Sequence, residues 1–310
     1  MARAHLAWLL VLLPLWGCPA WAAPRVVVTI KPVHSLAAGV MAGVAEPELL
    51  LKGAGSPHDY SLRPSDARLL ARADLVVRVG ADFETFLNKP LAGLAGKVRL
   101  LSLDNLPGVA LLPAREGGVW EGHDEHGGAE RDEHGHAERN LHLWLDPQNG
   151  WAIVAALVKT LAELDPANAE RYRRNGALLD RRLAELDQRL AHQLQPVAAR
   201  PFVVFHDAYP YLEKRYNLRA VGAVSVSPDR PVGARRLAEI RARIKGGQAV
   251  CVFSEPQFEP KLVRTLIEGT GAATGVLDPE GGGLTPGPEA YFQLMEGLGA
   301  ALRSCLQPAN

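Results

Sequence analysis

Beyond Pro24, short apolar runs rich in Val, Ile and Leu alternate with longer segments whose apolar positions recur every three or four residues. The short runs read as strands and the periodic segments as helices. Strands are expected over residues 25–30, 48–51, 74–79 and 98–103, with helices near 35–44, 65–73 and 83–88. Crossovers of this length join strands that run in the same direction. The near-continuous apolar character of the runs suits strands covered on both faces, so the pattern predicts a parallel sheet. Asp146 before Pro147 marks a further helix start, with the carboxylate placed to cap free amides and the ring suited to the first turn.

Residues 168–194 follow a different rule. Tyr172, Leu179, Leu183, Leu186, Leu190 and Leu194 fall at three-, four- and seven-residue spacings with Arg, Glu, Asp and Gln between them, which predicts one amphipathic helix. About 27 residues at about 1.5 Å each make a rod roughly 40 Å long. The strand–helix alternation then restarts, with strands over 202–205, 218–224, 249–253 and 274–277 and helices near 209–216, 233–244, 261–269 and 289–305. A strut between two lobes fits this restart better than a coiled-coil seam. The expected fold is therefore α/β: two similar lobes with four-stranded parallel sheets, joined by one long rigid helix. Residues 24–165 form the first lobe, 166–196 the helix and 197–310 the second lobe.

Residues 1–23 read as an export signal: Arg3, an apolar run over 6–15, then small residues before Pro24. Cleavage is expected after Ala22 or Ala23, with a lipid anchor at Cys18 as the alternative. Either way Cys251 and Cys305 remain as an even pair, and the oxidising compartment that an exported chain reaches predicts a disulfide between them. With 34 basic and 34 acidic residues, nothing suggests a nucleic-acid surface.

Three histidines stand at the edges of apolar segments: His58 in Ser56-Pro-His-Asp-Tyr60, His142 in Asn140-Leu-His-Leu-Trp144, and His206 after Val203-Val-Phe205. Pro57 and Pro64 stiffen the backbone around His58. Ligands of open parallel sheets sit beyond the carboxyl ends of strands, where His58, His206 and Asp278 all fall. Two lobes facing each other would turn three scattered imidazoles into one zinc-type site in the cleft. Asp278, or a water, is the expected fourth ligand, and Asp207 is expected to orient or cap beside His206. Three nitrogen donors favour zinc over manganese, which takes more carboxylate. His34 and His192 read as surface or helix-start residues, and Trp144 and Trp151 as packing.

Residues 117–139 form a loop of Gly, Asp, Glu and His that has no material for a core. His123, His126, His134 and His136 are candidates for weak collection of metal ions ahead of the cleft site.

Taken in order, Ser56-Pro-His-Asp-Tyr-Ser-Leu-Arg-Pro-Ser-Asp66, the acidic His loop, His142-Leu-Trp-Leu-Asp-Pro147, Phe205-His-Asp-Ala-Tyr209 and Cys251-Val-Phe-Ser-Glu-Pro-Gln-Phe258 resemble the zinc-specific solute-binding proteins of ABC importers, the ZnuA type with its TroA-like fold. The resemblance covers essentially all of the mature chain. It implies His58, His142 and His206 as ligands of a transported Zn2+, a monomer that delivers the ion to a membrane permease, and no enzymatic activity. Pro57 stands where some relatives place a ligating Glu. Release must loosen at least one ligand, with His206 or the His loop expected to do so. A secreted zinc hydrolase and a metal-binding adhesin of the same fold are the alternatives; no His-Glu-x-x-His motif supplies a general base for the first.

Overall fold

The structure is a computed structural model and describes residues 22–53, 55, 57–115, 120, 139–225, 232–258 and 261–308. Cys18, all but the last two residues of the export leader, and His123, His126, His134 and His136 lie outside the described residues.

The first lobe runs β1 (Val26–Val28), α1 (Lys31–Val40), β2 (Glu48–Leu49), α2 (Pro64–Ala71), β3 (Leu75–Arg78), α3 (Asn88–Gly93) and β4 (Arg99–Ser102). A two-residue antiparallel pair follows, β5 (Leu112–Pro113) with β6 (Arg139–Asn140), then α4 (Pro147–Leu164) and the long α5 (Ala169–Leu194). The second lobe comprises β7 (Pro201–His206), α6 (Pro210–Tyr216), β8 (Arg219–Ser225), α7 (Ala234–Lys245), β9 (Cys251–Ser254), α8 (Lys261–Ile267), β10 (Ala273–Val276) and α9 (Ala290–Leu306).

Each lobe holds a four-stranded, wholly parallel sheet. The spatial orders are β2-β1-β3-β4 and β8-β7-β9-β10, so the second half repeats the strand order of the first. Val26, Val27 and Val28 are all buried, as a central parallel strand covered on both faces requires. In both sheets the chain reverses direction of travel between its first and third strands. A crevice opens there beyond the carboxyl ends.

The apolar stripe of α5 buries Tyr172, Leu179, Leu183, Leu186, Leu190 and Leu194 against α1, α4 and α9. Close approach is built in: a Cβ at Gly176 would stand 2.6 Å from Val158 Cγ2, and one at Gly299 2.6 Å from Leu190 Cδ2. The helix therefore does more than bridge two lobes, because one buried cluster runs from Val28 and Leu36 through Leu183 to Phe202 and Phe253. Among the described residues no helix is long and apolar enough to cross a membrane.

Several boundaries differ from the pattern reading for identifiable reasons. α1 begins at Lys31 because Pro32 fits its first turn, which places His34 inside the helix and 6 % exposed. Arg63 rather than Ser65 precedes α2, and the Asp66 carboxylate reaches back to accept the Arg63 amide at 2.9 Å. The segment over 83–88 splits into a 3-10 turn (Thr85–Leu87) and α3. Asp207 does not cap α6, which starts at Pro210; it pairs instead with Arg115, which also binds Glu213. Cys251 and Cys305 are disulfide-bonded with Cα atoms 6.0 Å apart, tying the start of β9 to α9.

Candidate metal centre

His206 ends β7, and the chain after β9 places Glu255 beside it, so the crevice of the second sheet contributes a histidine and a carboxylate. The Glu255 oxygens lie 2.7 and 2.8 Å from His206 Nδ1. A carboxylate can only accept, so Nδ1 carries the hydrogen and Nε2 is left with its lone pair. His142 is oriented in the same way. It precedes the 3-10 turn Leu143–Leu145, and its Nδ1 donates to Asn140 Oδ1 at 3.1 Å, with Asn140 anchored in turn by Nδ2 on the Asp207 carbonyl at 2.6 Å.

The two Nε2 atoms face each other at 3.1 Å. With both Nδ1 positions committed as donors, two lone pairs face each other, a repulsion that a cation bound between them would relieve. Two nitrogens bound to zinc at about 2.0–2.1 Å in a tetrahedron stand about 3.3 Å apart. His58 comes from the short turn Pro57–Asp59, with its ring centroid 5.8 Å from that of His142 and 6.4 Å from that of His206. Phe83 packs edge-on against it at 4.8 Å. One donor atom from each of the three histidines lies within 4.8 Å of the others.

The rings enclose a cavity of about 10 Å³, also lined by Glu255 and Glu280. That is the volume of a single water or ion. Burial, then the neighbouring His206 and His58, hold the His142 pKa well below its ordinary value, so it is a neutral donor. Burial pushes Glu280 well above the carboxylate range, with Asp278, Glu84 and Glu255 adding to it and Lys31 opposing. Glu84 occupies the matching crevice of the first sheet. It accepts from Thr29 Oγ1 at 2.6 Å and from the Val79 and Gly80 amides at 3.0 Å, yet burial raises its pKa to about 6.

Among the described residues, Asp278 is not grouped with the three histidine donors. Its Oδ1 accepts from Gln257 Nε2 at 2.8 Å and from the Glu280 amide at 3.2 Å, and its Oδ2 from the Gly282 amide at 2.7 Å. It shapes the loop whose side chain Glu280 reaches the cavity. His34 also stays outside, with Nε2 bonded to the Pro47 carbonyl at 2.9 Å. Trp144 is fully buried, as expected of a packing residue, and donates Nε1 to the Pro279 carbonyl at 2.9 Å.

Residues 26–305 match the family described as ZnuA, zinc-uptake complex component A periplasmic. The chain belongs to the ZnuA family. It is 45 % identical over 305 residues to the high-affinity zinc uptake system protein ZnuA of Brucella abortus (strain 2308), covering 91 % of each chain. To the protein of the same name from Yersinia pestis it is 36 % identical over 294 residues, covering 92 % of each. Its fold matches a crystal structure of ZnuA with a TM-score of 0.77 at 25 % identity, over 92 % of this chain and all of that one. The ZnuA family is one of solute-binding transport proteins rather than enzymes.

Reading the sequence alone passed over Asn140, Glu255 and Glu280. Asn140 and Glu255 lie inside motifs that were legible, two residues before His142 and directly after the apolar run of β9. Glu280 follows Asp-Pro at the end of β10, and no local pattern separates it from Asp278.

Proposed function

We propose that this chain captures a single Zn2+ between its lobes in the periplasm and delivers it to the membrane permease of an ABC importer. The observation that carries the reading is the meeting of His58, His142 and His206 around a space fit for one ion. Family membership and the names of the Brucella and Yersinia relatives support zinc as the cargo and an uptake complex as its destination. Glu280 or a water completes the set in place of Asp278, whose carboxylate is occupied by Gln257 and two backbone amides.

Zinc is cargo in this reading. A hydrolase would need a substrate-sized recess against the ion, whereas among the described residues the space beside the three rings is about 10 Å³. The family likeness supports the same conclusion. In place of His206, which Glu255 holds, His58 is the ligand expected to leave first, since its turn sets it farthest from its fellows. The leader at 1–23, the lobes at 24–165 and 197–310, the helix at 166–196, a monomeric state and weak ion collection by His123, His126, His134 and His136 complete the proposal. The Cys251–Cys305 bond suits an oxidising compartment.

Titrating the mature chain against a chromophoric zinc chelator is expected to give one tight site per chain, with no turnover of ester, peptide or phosphate substrates. His142→Ala and His206→Ala are expected to abolish that site. A folded wild-type chain that does not compete with the chelator would overturn the reading.

A further inference from the structure

Lys31 is the first residue of α1, beyond the carboxyl end of β1, and is only 5 % exposed. Burial lowers its pKa, opposed by Asp278 and Glu280. Enclosing an ammonium is unfavourable unless its donors are used. They are used across the lobes: Nζ donates to the carbonyls of Gly281 at 2.6 Å and Gly282 at 2.8 Å. These two glycines directly follow Glu280. Gly281 has φ +62°, a left-handed turn that glycine adopts without strain.

A second first-lobe donor holds the same loop. Trp144, two residues after His142 and packed 5.2 Å from its ring, donates to the Pro279 carbonyl. Thus the carbonyls on both sides of Glu280 are bound by side chains of the opposite lobe, while Asp278 braces the loop from within its own lobe by accepting the Glu280 and Gly282 amides. We propose that Lys31 is a positioning residue: by clasping the Gly281 and Gly282 carbonyls it sets the Glu280 carboxyl against the three imidazoles and makes ion retention depend on the docking of the two lobes. Parting the lobes would withdraw Lys31 and Trp144 from the loop together and so loosen the oxygen donor. The inference rests on the zinc-capture reading above and on Glu280 as the fourth donor.

The test measures zinc release into excess chelator by stopped flow, together with the visible absorption of the Co2+-substituted protein, for wild type, Lys31→Met, Lys31→Arg, Glu280→Ala and Lys31→Met/Glu280→Ala. Removing charged hydrogen bonds of this kind is expected to speed release roughly tenfold in Lys31→Met and to move its Co2+ spectrum toward that of Glu280→Ala. Lys31→Arg, which keeps the charge and the donors, is expected to recover part of the loss. In the Glu280→Ala background Lys31→Met is expected to add nothing, because the group it positions is gone. Unchanged release in a folded Lys31→Met, or effects that simply add in the double variant, would overturn the role of Lys31 alone. A wild type that binds no zinc would overturn the underlying reading instead.

Discussion

His206 and Glu255 meet at the carboxyl ends of adjacent parallel strands, with both carboxylate oxygens within 2.8 Å of the imidazole Nδ1. Neither residue is near the other in sequence; the parallel pairing of β7 with β9 brings them together. The pairing fixes the tautomer and the direction in which Nε2 faces the cavity. Glu255→Ala is expected to lower zinc affinity roughly 10–100-fold. Glu255→Gln, whose amide oxygen can still accept from Nδ1, is expected to lose less. Chelator competition measures both, and equal affinity for wild type and Glu255→Ala would remove the orienting role.

His142 is held below its ordinary pKa first by burial and then by His206 and His58. A depressed histidine pKa means that the unfolded chain takes up a proton before the folded one does. From about pH 6.5 downward the apo protein is therefore expected to lose stability as pH falls. The His142 ring resonances, followed by NMR in the apo protein, are expected to titrate well below pH 6.5; a midpoint at or above that value contradicts the burial argument.

Glu84 works in the opposite sense. Its folded pKa of about 6 lies above the unfolded value of 4.5, so the protonated carboxyl favours the fold below pH 4.5 and that contribution is lost as pH rises through about 6. Glu84→Gln is expected to remove this dependence. The stability difference between variant and wild type should shift by about 2 kcal/mol in the variant's favour between pH 4 and 7. Urea unfolding at both pH values measures it, and a difference that stays constant refutes it.

The disulfide closes a stretch of 54 residues, for which chain entropy gives about 4 kcal/mol of stabilisation. Cys251→Ser/Cys305→Ser is expected to lose most of that in chemical denaturation. Cys251 lies at the start of β9 and Glu255 just beyond its end, so the variant's zinc affinity is expected to stay within about threefold of wild type, a change of under 1 kcal/mol. A collapse of affinity in a variant that still folds would tie the bond to the site.

Deleting residues 121–138 addresses the collecting role of His123, His126, His134 and His136. At saturating zinc the deletion is expected to leave the tight site unchanged, and at limiting zinc to slow its filling. Identical filling rates at limiting zinc would end that role.

Periodicity alone determined the architecture. The alternation of β-branched runs with helical segments specified two parallel four-stranded sheets, and the leucine spacing over 168–194 specified α5, because both signals arise from burial repeating along a single element. The three histidines stood out as candidates as well, each near a Pro or Asp at the edge of an apolar segment. What each element packs against was not written locally. Only the tertiary structure showed that α5 lies within one continuous core, that Asn140 and Glu255 orient His142 and His206, and that Asp278 shapes a loop whose neighbour Glu280 enters the cavity. Those roles depend on which side chains parallel pairing and lobe docking bring within hydrogen-bond reach, and a single chain carries no pattern for contacts between residues as far apart as Lys31 and Gly281.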